Sequence, residues 1–302
     1  MVKTVSKTKI YTPRFYDGLL AFFFKLAASG YIPASWFLKN VPNEQQRAKK
    51  TGHLNIEIVS HCWGYSHMLA YQLSSLINYP PTKASVTMTV FFSTEDENTQ
   101  KILDFFATHE VPNVTWNWQS LPKEQLFRRG IGRNKAALTT KADWVWFSDC
   151  DIMFNENSID SMVDSLQGRN DILVFPKQEK TTPMLAEDHP LLQKGAEPHV
   201  IKINDEDGFE YYSRSKATGE FQITHGDAAR AAGYCANISI YQTPSDHWCK
   251  CVEDRCFRWL LGSHGIAIDI ENVYQIRHVT KGRYKKGSWW SRVRSKIRHL
   301  KQ

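Results

Sequence analysis

Ala142-Asp143-Trp144-Val145-Trp146-Phe147-Ser148-Asp149-Cys150-Asp151-Ile152-Met153-Phe154 sets two aspartates inside an apolar run. The run reads as a strand that ends at Asp149 and resumes as Ile152–Phe154. Positions i and i+2 of a strand point to one face, so Asp149 and Asp151 face the same way. Two carboxylates this close repel when buried. A hard divalent cation with oxygen ligands, Mg2+ or Mn2+, removes that cost. A solvated loop between two strands is the other reading. The carboxylates interrupt the apolar run instead of flanking it, which favours the metal.

Upstream, strands and helices alternate. Leu54–Ser60 alternates and then turns apolar, a strand entering a sheet. The loop His61–Tyr65 follows, and Met68, Leu69, Leu73, Leu76 and Ile77 recur at helical intervals. Val86–Phe92 is a second strand, ending in Ser93-Thr94-Glu95-Asp96. Asn98–Thr108 reads as a helix and Val114–Trp118 as a third strand. This order predicts an α/β fold with a mostly parallel central sheet flanked by helices. Ligands of such sheets sit at the carboxyl ends of the strands, here the loops at residues 61–65 and 93–96. Arg128–Asn134 holds two glycines and three arginines ahead of a helical stretch. That suits a diphosphate facing backbone amides, and equally suits a plain Gly-Arg turn.

In order and spacing these elements resemble glycosyltransferase family two, of GT-A fold, over roughly residues 52–280. The resemblance implies a Rossmann-like sheet and transfer of a sugar from a nucleotide-sugar donor. It implies donor contacts from the first-strand loop (Ser60, His61, Trp63, Tyr65) and from an acidic second-strand end (Glu95 or Asp96). It implies the same for Arg129 and for the Gly132-Arg133-Asn134 element. It assigns Asp149 to donor and metal, and Asp151 to the metal, Mn2+ or Mg2+. His278, after the strand-like Tyr274–Arg277, is a further candidate metal ligand, with a structural histidine the other reading.

In the second half, Asp171–Pro176 reads as a strand and residues 177–220 as loop. Ile223–Asp227 leads into a short helical stretch. The resemblance makes His225, Gly226 and Asp227 acceptor-binding candidates; a capped turn is the alternative. Val252, Cys256, Trp259 and Leu260 form a helical stripe, which sets Glu253 and Asp254 near a helix N-terminus. Carboxylates there suit the helix dipole alone. The resemblance implies an inverting enzyme with one of the pair as general base, Asp254 first and Glu253 second.

The 302 residues divide into an N-terminal segment (1–50), a catalytic domain (51–280, with a nucleotide-binding half 51–154 and an acceptor half 155–280) and a basic tail (281–302). Net charge is +7, yet ten of the 38 Lys/Arg fall in residues 277–302 with no acid. The other 28 face 31 Asp/Glu, so the main domain is slightly acidic. From Trp289 the apolar residues fall at 289, 290, 293, 297 and 300, one helical face among cations. Residues 285–302 therefore suit an anionic membrane surface. The rival class is a nucleic-acid or anionic-surface binder without catalysis, using the same tail. No nucleic-acid motif accompanies it, so no nucleic acid is expected as partner. The expected partners are a nucleotide sugar and a glycan or lipid-linked acceptor. Leu19, Phe22, Phe23 and Leu26 recur at helical spacing, which suits a helix packed on the domain or one lying at a membrane interface. No run of about 18 apolar residues occurs, which excludes a spanning helix. His247, Cys249, Cys251 and Cys256 lack the C-x2-C spacing of a zinc site, and free thiols fit a reducing compartment. The expected location is cytoplasmic, at most peripheral on the cytosolic face of a membrane.

Overall fold

The computed structural model describes residues 16–38, 41–186, 188–195, 197–203, 208–248 and 252–279. Helix α1 (Asp17–Leu26) comes first, followed by a π-type turn (Ala27–Tyr31) and a 3-10 turn (Ala34–Trp36). The first half then runs β1 (Leu54–His61), α2 (Ser66–Asn78), β2 (Ala84–Phe92), α3 (Glu97–Ala107) and β3 (Val114–Ser120). It continues through α4 (Lys123–Leu126), α5 (Arg129–Thr139), β4 (Trp144–Phe147) and β5 (Ile152–Phe154). The second half holds α6 (Ser158–Leu166), β6 (Leu173–Pro176), β7 (Gln178–Thr181), α7 (Pro190–Lys194), β8 (Glu210–Ser213) and β9 (Gln222–His225). Last come α8 (Gly226–Ala232), α9 (Ser239–Gln242), α10 (Glu253–Leu260), β10 (Ile266–Ile268) and β11 (Val273–Gln275).

Seven strands form the central sheet in the order β10-β6-β9-β4-β1-β2-β3. All its neighbouring pairs are parallel except those of β9, which runs antiparallel to β4 and β6. Parallel strands covered by helices need apolar residues on both faces. Accordingly β4 is buried throughout and β1 at every position except Asn55. Helix α5 packs against β1 and α6 against β2. One cluster of buried side chains runs from Phe24 to Ile276. No helix among the described residues is long and apolar enough to cross a membrane.

Three expectations change. Residues 177–220 are not loop throughout, because β7 and β8 join β5 and β11 in a second sheet, order β5-β11-β7-β8. Their sequences, Gln-Glu-Lys-Thr and Glu-Tyr-Tyr-Ser, carry no apolar alternation, so pairing across the sheet makes them strands. Arg129–Asn134 belongs to α5 instead of preceding it. Of the two readings of the N-terminal stripe, packing on the domain does not hold for its four residues. Helix α1 docks through Phe24, which meets Phe37 and Tyr241 with ring centroids 5.4 and 6.3 Å away, while Leu19, Phe22, Phe23 and Leu26 point outward. The tail reading falls on residues outside the described ones, as do Cys249 and Cys251. The described cysteines Cys62, Cys150, Cys235 and Cys256 are buried free thiols.

The glycines of α5 set its distance from the sheet. A Cβ on Gly132 would overlap His61 Nε2 and sit 2.9 Å from Phe91 Cγ, and one on Gly130 would sit 2.7 Å from the Tyr241 carbonyl oxygen. Overpacking of this kind costs about 1–3 kcal/mol. Gly132→Ala is expected to lower stability by that amount, read as a drop in the urea midpoint at unchanged m-value.

Candidate functional site

The site is built at the carboxyl ends of β1, β2 and β4. β4 delivers Asp149, and the first turns of α5 deliver Arg129 and Arg133 to the same carboxylate. Asp149 Oδ1 accepts from Arg129 Nη1 at 2.6 Å and from Arg133 Nη2 at 3.1 Å. Residues four apart on a helix share a face, so α5 presents both guanidinium groups together. Arg133 is fully buried. Its Nη2 also donates to the Ser148 carbonyl at 3.2 Å and its Nη1 to Tyr234 Oη at 3.0 Å. Its guanidinium lies 5.3 Å from the Tyr234 ring centroid and 5.9 Å from that of Phe147. The Asp149 carboxylate raises the pKa of Arg129, so that cation is held charged.

The polar chain continues away from Asp149. Burial pushes the Tyr234 phenol up, keeping it a donor, and its Oη donates to Gln222 Oε1 at 2.8 Å. Gln222 Nε2 then donates to the Asp254 carbonyl at 3.0 Å. Asp254 is the second residue of α10 and lines an open cavity of about 680 Å3, together with Lys216, Thr218, Arg255, Arg258 and His264. Arg258 Nη1 stands 3.8 Å from Asp254 Oδ2. Glu253 faces the opposite way. It is buried, with Oε1 3.9 Å from Arg129 Nε, and its Oε2 has no hydrogen-bond partner among the described residues.

The first-strand loop is tied down from below. Ser60 is buried and donates to Gln72 Oε1 at 2.7 Å; Gln72 Nε2 reaches the Asp149 carbonyl at 3.0 Å. His61 is buried against Phe91, ring centroids 5.0 Å apart, and its Nδ1 and Nε2 make no hydrogen bond among the described residues. Burial, then Arg133 and Arg129, lower its pKa well below the usual imidazole range, so it is neutral. Ser60 and His61 thus stand beneath the site, while Trp63 and Tyr65 stand partly open at its rim. Trp63 meets Phe127 edge-on at 5.2 Å, and Tyr65 lies 5.5 Å from His278. Asp96 Oδ2 accepts from Gly64 N at 2.6 Å and Asp96 Oδ1 caps α3 through Thr99 N, which joins the two loops. Glu95 is exposed and paired with Lys123 at 2.6 Å.

Other expected residues are placed elsewhere. β9 is antiparallel to β4, with Phe147 opposite Gln222 and Trp144 opposite His225. His225, Gly226 and Asp227 therefore lie at the end of the sheet away from Asp149. There His225 Nε2 bonds the Ala48 carbonyl at 2.9 Å, and Asp227 accepts from Ala48 N at 2.9 Å and Arg230 at 2.6 Å. They cap α8 and anchor the segment before β1, and do not line the cavity. Gly132 serves helix packing, and Asn134 Oδ1 accepts from Tyr234 N at 2.9 Å, positioning that phenol. Tyr234 and Gln222 are site residues that the sequence reading missed. A glutamine between Phe221 and Ile223 was the available signal.

Asp151 immediately precedes β5. Its carbonyl accepts from Ile276 N at 3.0 Å, so the stretch carrying His278 passes beside it. No group of three or more His, Cys, Asp or Glu among the described residues forms a closed metal cage. Magnesium-type ions are usually bound by one or two carboxylates, with water and substrate phosphates completing the shell. The oxygen donors of Asp149 and Asp151 fit that kind of site.

The model of the family described as glycosyl transferase family 2 matches residues 58–235. Among solved structures, Staphylococcus aureus TarS in complex with UDP-GlcNAc is 9% identical, covering 82% of this chain and 67% of that one, at a TM-score of 0.44. The mannosyltransferase PcManGT from Pyrobaculum calidifontis, in complex with GDP-Man and Mn2+, is 12% identical over 94% and 75% of the two chains, at 0.42. A longer TarS structure is 13% identical over 45% of this chain, at a TM-score of 0.32, and this chain spans only 22% of its length. No curated protein matches. The family match takes in more than half of the chain, including the second half of β1, all of α5, Asp149 and Asp151, and the chain belongs to glycosyl transferase family 2.

Proposed function

We propose that this chain moves a sugar from a nucleotide-sugar donor to a hydroxyl of a glycan or lipid-linked acceptor, with inversion at the anomeric carbon. One observation carries the reading. A hydrogen-bonded path runs from Asp149, between two arginines, through Arg133, Tyr234 and Gln222 to the backbone carbonyl of Asp254, whose residue lines the cavity. Donor and acceptor ends of a transfer site must be held in register, and such a path does this.

The leaving nucleoside diphosphate concentrates negative charge. Arg129 and Arg133 offer two preorganised guanidinium groups where that charge develops. Trp63 and Tyr65 offer aromatic surface to the base. Asp254 is the base: it reaches the cavity, and its carboxylate takes the proton from the acceptor hydroxyl as that oxygen attacks the anomeric carbon. Asp149 and Asp151 would hold a divalent ion, with His278 as a further candidate ligand. A bound Mg2+ or Mn2+ supplies Lewis-acid stabilisation of diphosphate oxygens. Glu253 is a positioning residue that braces Arg129 from within. The basic stretch 285–302, by its sequence pattern, suits contact with an anionic membrane surface.

Asp254→Asn keeps shape and removes the proton acceptor. It is expected to lower kcat roughly 10²–10⁴-fold with donor binding retained, in steady-state and donor-titration assays. A near wild-type Asp254→Asn beside a dead Glu253→Gln would reverse the two roles. Treatment with EDTA is expected to stop turnover until Mn2+ or Mg2+ is restored, and Asp151→Ala to lose most of the restored rate. Full activity of that variant in EDTA sinks the metal assignment.

Burial raises the Glu253 pKa, outweighing the opposing pull of Arg129, Arg133 and Arg128. The folded chain thus holds this proton more tightly than the unfolded chain, whose value lies near 4.5. Stability is lost as pH rises from there through the folded value. Glu253→Gln is expected to remove this slope, so its melting temperature gains on the wild type as the pH is raised above 4.5. A constant difference across that window would contradict the assignment.

A further inference from the structure

The described residues expose ten large hydrophobic side chains, and six of them fall between Leu19 and Trp36. Single exposed apolar residues are ordinary; a concentration of this kind marks a contact surface. Leu19 is 69% exposed and Phe22 60%, and with Phe23 and Leu26 they share one face of α1. Past the turn, Tyr31 is 80% exposed and Trp36 70%. The opposite face of α1 is docked. Arg255 donates to Ser29 Oγ at 3.1 Å and Trp259 Nε1 to the Ile32 carbonyl at 2.8 Å. These bonds fix the turn after α1 to α10, the helix that begins with Glu253 and Asp254.

The same turn is a wall of the cavity. Ala28, Ser29 and Gly30 line it across from Lys216 and His264, with Asp254 inside. The cavity is therefore bounded by the segment that carries the apolar face. Cations accompany this face: Lys25 is exposed on α1, and Lys216 and Arg255 line the cavity. Aromatic rings among Lys and Arg beside an apolar helix face suit the headgroup layer of an anionic bilayer. A symmetric pair of copies on this face would instead bring the same cations toward one another.

We propose that the face formed by α1 and the Tyr31–Trp36 turn seats on an anionic membrane surface, holding the Asp254 cavity at headgroup level for a lipid-linked acceptor. The acceptor part rests on the transferase reading above; the seating does not. The apolar anchor of such an acceptor stays in the bilayer, and its polar head enters the cavity, where the cations suit an anionic linkage.

The test uses the full chain and vesicles of phosphatidylcholine with or without phosphatidylglycerol. Wild type is expected to co-sediment with the phosphatidylglycerol vesicles. The triple variant Leu19→Ser, Phe22→Ser, Trp36→Ser, with its tail intact and melting temperature unchanged, is expected to partition at least about tenfold more weakly. Hydrogen exchange of the wild type on vesicles is expected to slow at residues 19–36 and at the cavity rim, residues 262–264. That measurement needs no variant. Equal sedimentation of variant and wild type, or protection confined to residues 285–302, overturns the proposal. So does a wild-type dimer in vesicle-free solution that the variant converts to monomer, since the face would then be a self-association surface. Hydrolysis of nucleotide sugars in solution is read in parallel, and both proteins are expected to match. Vesicle binding without hydrolysis of any nucleotide sugar would count against the transferase reading and the acceptor, and leave the seating intact.

Discussion

A buried cation under the end of β4 constrains the rest of the site. Burying an unpaired guanidinium costs several kcal/mol, so Arg133 needs compensating partners. Asp149, the Ser148 carbonyl and Tyr234 Oη accept three hydrogen bonds from its terminal nitrogens, and two aromatic rings add their faces. Each partner belongs to a different part of the chain. Asp149 and Ser148 fix where β4 stops, and Tyr234 fixes the segment after α8. Tyr234 in turn requires Gln222, and Gln222 requires the start of α10. Satisfying one charge thereby sets the relative position of the two halves around the cavity.

The helix that carries Arg133 breaks ordinary helix rules, and each departure has a local cause. Arg129 is its first residue, where the positive end of the helix dipole opposes a cation. Asp149 and Glu253 supply the missing counter-charge. Two glycines in a helix interior each cost about 1 kcal/mol relative to alanine. They let α5 approach His61 and Phe91 on one side and Tyr241 on the other. Without that approach, the guanidinium groups of Arg129 and Arg133 would not reach Asp149. The stretch Arg129-Gly-Ile-Gly-Arg133 is thus a close-packing device for two cations.

What was legible in the sequence follows from how local each signal is. The strands β1 to β4 and helices α2 and α3 carry continuous apolar runs or helical stripes, and all appear near their expected bounds. Asp149 and Asp151 stood out because they break such a run. β7 and β8 were illegible because their strand character comes from partners about thirty to ninety residues away. The placing of His225–Asp227 failed for a topological reason: nothing local reveals that β9 runs antiparallel to β4. Position in the chain suggested a place beside the acceptor, and strand direction carried those residues to the opposite edge. The α1 stripe left two readings open for a related reason. Helical spacing identifies an apolar face without saying whether protein or another medium covers it.

Glu253 and Asp254 illustrate how one local geometry divides two similar side chains. Consecutive residues of an α-helix are rotated by about 100°, so neighbouring carboxylates in a first turn cannot share an environment. α10 is seated by Cys256, Phe257 and Leu260, which turns Glu253 inward toward Arg129 and leaves Asp254 at the cavity. The inward carboxyl loses solvent and holds its proton more tightly. The outward one keeps access to water and to anything in the cavity, with Arg258 beside it. A proton acceptor for a bound hydroxyl must be reachable by that hydroxyl, and accessibility comes before intrinsic basicity in selecting it. By that criterion Asp254 is the carboxylate that a hydroxyl in the cavity can reach, while Glu253 is buried 3.9 Å from Arg129 Nε.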